Sequence, residues 1–370
     1  MFCFYLITTL NIRRFKINIK PLIIGDLVAR VPIVQAGMGV QIAKADLASA
    51  VSQTGAIGCI SSVGLGKHRN ALNNYFQESR EQLAYEIKKA RHLDPNGILA
   101  VNVMMALSNY DEIVNVCVRE KVDIIISGAG LPLSLPALTK GSNIKLVPVV
   151  SSGRSLAIIL KTWKRRYERM PDAVILEGPL CGGHLAFSWD QLDHPEEVAL
   201  EKLFKEVKDT LAPYEAEFGR KIPLLGAENI ATIDDVLAML SIGFDGVQIG
   251  TRFICTDEAG IDIKSKEVYV KATDNDIAII QSPLGMPLKV LKTPLSEKIL
   301  RGEKIPFGCP FLCLRACKAK DAHFCIAEAL VDTLMGNVNE GLFMVGSSIG
   351  RVNNIIPAAE FIEPLRKMVE

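Results

Sequence analysis

The sequence predicts an α/β fold, a (β/α)8 TIM barrel with an inserted C-terminal cap subdomain. Three observations lead there. Eight short apolar runs alternate with helical stretches from about residue 31 to residue 255, the pattern of parallel strands joined by crossover helices. The 370-residue length exceeds the ~250 residues of a barrel and leaves a remainder for an insertion. The chain is 49% hydrophobic but only 6% aromatic, so its apolar weight lies in Ile, Val, Leu and Ala, the residues of sheets covered on both faces.

The eight candidate strands cover 33–36, 56–60, 98–103, 122–127, 145–150, 173–177, 223–226 and 246–250. Between them, segments such as 44–53, 80–90, 110–120 and 233–242 carry apolar residues at three- and four-residue spacing, one buried stripe of a helix each. After residue 256 the alternation breaks. The runs 268–272 and 277–281, a proline-containing stretch, a cysteine-rich segment and a helical 327–335 read as a cap over 257–340. Residues 341–351 then return to the barrel mouth and 358–368 close it from outside, so the barrel domain is 24–256 with 341–370, and 1–23 is a leader. The apolar 1–10 is too short to span a bilayer, and its basic residues follow the apolar run instead of preceding it, so it reads as a poorly ordered leader or an over-long gene start.

The 42 basic and 41 acidic side chains leave a net charge of +1, which creates no field to collect nucleic acid or to coat an anionic membrane. A small neutral or singly charged ligand suits such a surface. The cluster Lys161, Lys164, Arg165, Arg166 and Arg169 reads as a solvated helix face. Nine cysteines without an export signal point to a reducing, cytoplasmic setting.

In a barrel, chemistry sits at the carboxyl ends of the strands. Strand one ends Gln35-Ala36-Gly37-Met38-Gly39, where glycines let a flat ligand approach the backbone and Met38 offers a polarizable neighbour. Asn102 places a carboxamide in an apolar strand, where it needs a partner. Strand four ends Ser127-Gly128-Ala129-Gly130 and leaves room beside it. After strand six comes Glu177-Gly178-Pro179-Leu180-Cys181-Gly182-Gly183-His184, paired glycines before an imidazole whose ordinary pKa of ~6.5 suits proton transfer. Strand seven leads into Gly226-Ala227-Glu228-Asn229, and strand eight ends Gln248-Ile249-Gly250-Thr251, the loops where barrels commonly bind phosphate.

Together these runs resemble the nitronate monooxygenase family, formerly 2-nitropropane dioxygenases, over most of 24–255 and again near Gly346. The flavin-dependent enoyl-ACP reductases share the pattern. The resemblance implies FMN at the mouth, its phosphate at Gly226, Ala227, Gln248, Gly250 and Thr251, and its ring near Ala36, Gly37, Met38, Asn102 and Ser127, with Glu177, Gly182 and Gly183 beside it. It implies His184 as the active-site base and a monooxygenase that oxidises alkyl nitronates with O2 to a carbonyl compound and nitrite. Three departures stand out: Ala227-Glu228-Asn229 replaces a glycine pair, Gly346-Ser347 replaces Gly-Gln, and the apolar Leu185-Ala186-Phe187 offers no charged contact.

Two other functions fit the residues. An NAD(P)H-dependent enoyl-ACP reductase would need a basic patch, for which Lys289, Lys292 and Lys298 stand in the cap; a non-catalytic flavin or thiol sensor would use the barrel only as scaffold. A homodimer is compatible with either enzyme. Cys309, Cys313, Cys317 and Cys325 form the candidate metal site, zinc or iron–sulfur. On one helix, Cys309 and Cys317 would lie ~12 Å apart, so shared ligation needs a loop, which Pro306, Gly308 and Pro310 make available.

Overall fold

The computed structural model describes residues 19–66, 74–309 and 312–369; the leader expectation for 1–18 lies outside them. Eight parallel strands close a barrel in the order of the chain: Ile33–Gln35, Ile57–Ser61, Ile98–Met104, Ile124–Gly128, Lys145–Val150, Val174–Glu177, Leu224–Ala227 and Gly246–Ile249. The eighth pairs with the first, Val247 opposite Ile33 and Ile249 opposite Gln35. These are the eight runs predicted, with ends shifted by at most two residues. Their side chains fill the barrel and pack its helical coat: Ile33, Ile57, Val101, Ile125, Ile175, Leu225 and Val247 are all fully buried.

The helices begin and end where the local chemistry requires. Ser152 accepts the Ser155 N–H to start Gly153–Tyr167, and Thr232 with Asp235 forms a reciprocal capping box on Ile233–Ile242. Helix Tyr75–Leu93 starts five residues before the periodic stretch at 80, because its first turn is anchored by the buried Tyr75. Leu22–Ile24 and Leu27–Ala29 pair as a hairpin, and Ile19 and Leu22 are buried. The ordered barrel domain therefore begins before the expected boundary at 24.

The remainder is bound closely to the mouth. Segment 268–272 belongs to helix Ile263–Lys271 except for its last residue, whereas Ile277–Gln281 is a strand as its alternation suggests and pairs antiparallel with Pro287–Leu291. The third strand of that sheet is the two-residue Gly183–His184, which comes from the loop after barrel strand six. The cysteine-bearing segment lies on the loop after strand three: Leu314 bridges Leu107, Ser108 N–H donates to Cys313 O at 3.0 Å, and Arg315 N–H donates to Ala106 O at 2.8 Å. The chain then returns through Met344, which bridges Val290. Helix Ala358–Val369 packs against helices Ala45–Ser52 and Ile233–Ile242 and seals the barrel's outer wall. Among the described residues, no helix is long and apolar enough to cross a membrane.

Candidate active site

The mouth has two sides. On the first, strand one ends in Gln35, fully buried, whose side chain donates to Cys59 O at 2.8 Å and accepts from Cys59 N–H at 3.2 Å. It ties strands one and two where backbone pairing is sparse. Gly37 follows, and a Cβ there would lie 2.2 Å from Asn102 Cβ, a contact no side chain tolerates. Strand-one turn and strand-three carboxamide thus meet across the mouth. The nearest protein acceptor for Asn102 Nδ2, Ile126 O, is 3.5 Å away, too far for a strong bond. Gly250 stands opposite, facing Ala36 and Met38.

On the second side, Gly182 runs against the returning chain, since a Cβ on it would come 2.6 Å from Gly346 N. Gly346 N–H donates to Thr251 Oγ1 at 3.0 Å, and Ser347 N–H donates to Leu180 O at 3.0 Å. Gly183 adopts φ +76°, a conformation open to glycine at little cost. His184 then projects from the outer sheet, opposite Leu288. Its Nε2 is buried with no hydrogen-bond partner, and so is Gln248 Oε1 from strand eight. Burial pushes the imidazole down to about 4, so it is neutral near pH 7 and offers one donor and one acceptor nitrogen.

Glu228 does not face the strand-eight loop. It lies over Gly178 and accepts the Leu180 N–H at 2.9 Å, so the carboxylate that replaces a glycine organises the strand-six turn. Burial pushes both Glu177 and Glu228 up to about 7. Cys181 Sγ donates to Ala227 O, and Gly226 packs on the Phe244 ring. Ser127 is also in the wall: its hydroxyl donates to Val103 O at 2.9 Å and lies 3.0 Å from Tyr110 Oη. Of the predicted residues, the structure brings Ala36, Gly37, Met38, Asn102 and Gly250 together on one side and Gly182, Gly183, His184 and Thr251 on the other. Glu177, Gly226, Ala227 and Ser127 form the supporting wall.

Two expectations need correction. Among the described residues, no three His, Cys, Asp or Glu side chains are placed to hold a metal ion, so Cys309, Cys313, Cys317 and Cys325 do not form the expected site. Burial pushes Cys313 up to about 12 and Cys325 up to about 11, which keeps these thiols protonated near pH 7. The three lysines do not form one surface patch either, because Lys289 is buried. Lys289 is 4% exposed and bonded internally, Lys292 donates to Asn275 O, and Lys298 pairs with Glu340 at 3.6 Å. Lys289 is the residue that sequence reasoning undervalued; a lysine inside the apolar run Pro287–Leu291 was its signal.

A closed parallel barrel with an unpartnered imidazole and an orphan carboxamide at its carboxyl rim is the architecture of a flavin-type oxidoreductase. The chain belongs to the nitronate monooxygenase family, whose profile matches residues 20–367. It is 26% identical, over 74% of this chain and 66% of the other, to a Mycobacterium tuberculosis protein named (3aS,4S,5R,7aS)-5-hydroxy-7a-methyl-1-oxo-octahydro-1H-indene-4-carboxyl-CoA dehydrogenase. The chain spans just under two-thirds of the length of that protein and of its Rhodococcus jostii counterpart. A probable nitronate monooxygenase of Staphylococcus saprophyticus is 22% identical, over 74% of this chain and 79% of its own. The structure of FabK from Thermotoga maritima is similar at a TM-score of 0.71 and 28% identity, covering 92% of this chain and 93% of that one.

Proposed function

We propose that the protein is an FMN-dependent nitronate monooxygenase that oxidises alkyl nitronates with O2 to a carbonyl compound and nitrite. The observation that carries this reading is the buried, unpartnered Nε2 of a neutral His184 at the barrel mouth. The residues present fit FMN: Gln248 Oε1 is a buried acceptor awaiting a donor, and Gly37 and Gly250 leave the rim without side-chain bulk. Ala36, Gly37, Met38, Asn102 and Gln248 would hold the ring, and Gly250 and Thr251 the phosphate. Bound FMN supplies the electron acceptor and the place where O2 is reduced.

His184 supplies the proton chemistry. When the neutral nitroalkane is supplied instead of the nitronate, the neutral Nε2 of His184 can take the proton from the carbon beside the nitro group, which makes the nitronate anion in the site, facing an imidazolium. In apolar surroundings that imidazolium is costly alone and is stabilised by the anion it has just made. The site thereby favours carbon acids whose conjugate base stays bound and charged. The buried Leu185 and Phe187 on the following residues keep water from competing for that anion.

A second reading has its own support: the relatives at 28% and 26% identity are FabK and a carboxyl-CoA dehydrogenase, which favours an acyl thioester and NAD(P)H. One experiment separates the two. Protein reconstituted with FMN is expected to consume O2 and release nitrite with ethyl nitronate. Rapid bleaching by NADPH with turnover of crotonyl-CoA, and no nitrite, would replace the first reading by the second.

A further inference from the structure

The turn that carries His184 is held from beneath by a buried charge. Lys289 pairs with Gly183 in the outer sheet, and its Nζ donates to Pro179 O and to Ser347 Oγ, both at 2.9 Å. Its own carbonyl accepts the Val345 N–H at 3.2 Å. One residue thus touches the strand-six turn, the cap and the returning segment. From the other side, Glu228 holds the same turn through Leu180 N–H at 2.9 Å. The ammonium and this carboxylate attract one another, and Cys181, Glu177 and Glu201 are the other titratable groups that interact with this pair or with each other around the turn.

A buried ammonium is expensive unless its donors are used and its charge is balanced. An apolar residue at 289 would complete the all-buried strand Pro287–Leu291 without that cost. We propose that Lys289 is a positioning residue, which with Glu228 clamps the Pro179–Gly183 turn and so fixes where His184 Nε2 points. The inference rests on His184 being the reacting base.

The structural arm of the test needs no substrate. In Lys289→Met, hydrogen–deuterium exchange over residues 179–187 is expected to accelerate about tenfold at neutral pH, with helix Ile233–Ile242 unchanged. The double variant Lys289→Met with Glu228→Gln still leaves Pro179 O and Ser347 Oγ without their donor and is expected to exchange no more slowly than Lys289→Met, because it is the clamp that is lost and not the charge balance alone. In the FMN-loaded protein, Lys289→Met is expected to lower kcat for neutral nitroethane, which needs the base, about 100-fold with KM within about twofold, the mark of misplaced chemistry and intact binding.

Unchanged exchange over 179–187 in Lys289→Met, or return of native protection in the double variant, overturns the proposal. Where Lys289→Met does not fold, Ser347→Ala removes one Nζ acceptor without changing charge and must accelerate the same peptide; identical exchange overturns the proposal equally. Absence of nitronate turnover in the native protein defeats the reading of the reaction alone, and leaves the exchange result to decide the role of Lys289.

Discussion

The rim of the barrel and the small sheet outside it are built on opposite plans. The rim is made by strand ends that follow one another along the chain, closed by parallel pairing and held by local contacts such as Gln35 to Cys59. The outer sheet joins Gly183–His184 to Pro287–Leu291 and through Val290 to Met344, segments more than fifty residues apart in sequence. In the proposed reading, the first plan supplies the flavin cradle and the second suspends the proposed base, His184, over it. Binding and chemistry are therefore carried by separable parts, and substitutions should divide accordingly.

The largest division is expected at His184. His184→Asn should leave the FMN absorbance intact and reduce turnover about 10²- to 10⁴-fold, the usual contribution of a positioned acid or base; oxygen uptake measures it. Loss of the bound flavin instead would break the separation. Gly182→Ala forces a Cβ into the Gly346 backbone, so turnover should fall by about 100-fold from displacement alone, with FMN affinity nearly unchanged by fluorescence titration. Gly37→Ala collides with Asn102 on the rim and should show the converse: weakened FMN binding, and stability lowered by about 1–3 kcal/mol from overpacking.

Smaller effects sharpen the contrast within the wall. Ser127→Ala strands the Tyr110 hydroxyl and should cost about 1–3 kcal/mol in thermal unfolding with turnover retained; a loss of turnover at unchanged melting temperature would move Ser127 into the ligand site. The smallest effect is linked to pH. Glu177 and Glu228, raised to about 7 by burial, hold protons in the folded state that the unfolded chain releases at lower pH. Their stabilisation is present in acid and is lost as pH rises toward 7. His184, depressed to about 4, acts in the opposite sense, and its contribution is lost as pH falls below its ordinary value. Glu228→Gln should therefore flatten the fall in melting temperature between about pH 5 and pH 7.

The legible parts of the molecule were those decided by neighbours in sequence. Lys145–Val150 and Ile233–Ile242 were readable to the residue because strand length, helical period and the Thr232 and Gly243 ends are all local. His184 was readable as a candidate from the two glycines before it. Its strand was not, because two residues carry no alternation and exist only against Leu288 and Lys289. Ser127 was readable as a strand-end residue, but its neighbour Tyr110, whose hydroxyl lies 3.0 Å from its own, was not, because the two are seventeen residues apart and meet only in the fold. The clustering of four cysteines suggested a metal while their spacing argued against one helix holding it, and among the described residues no such group is assembled.

The suspended sheet also sets an order of manufacture. A ribosome releases the N-terminal parts of a chain first, and all eight barrel strands lie before residue 250. The cradle can therefore close while its histidine still lacks a seat. That seat needs Leu288 and then the Val345–Ser347 segment, which follow the last barrel strand in the sequence by about forty and about a hundred residues. The seat of the proposed base is therefore assembled only once residue 347 has been made, before the helix Ala358–Val369 that seals the barrel's outer wall.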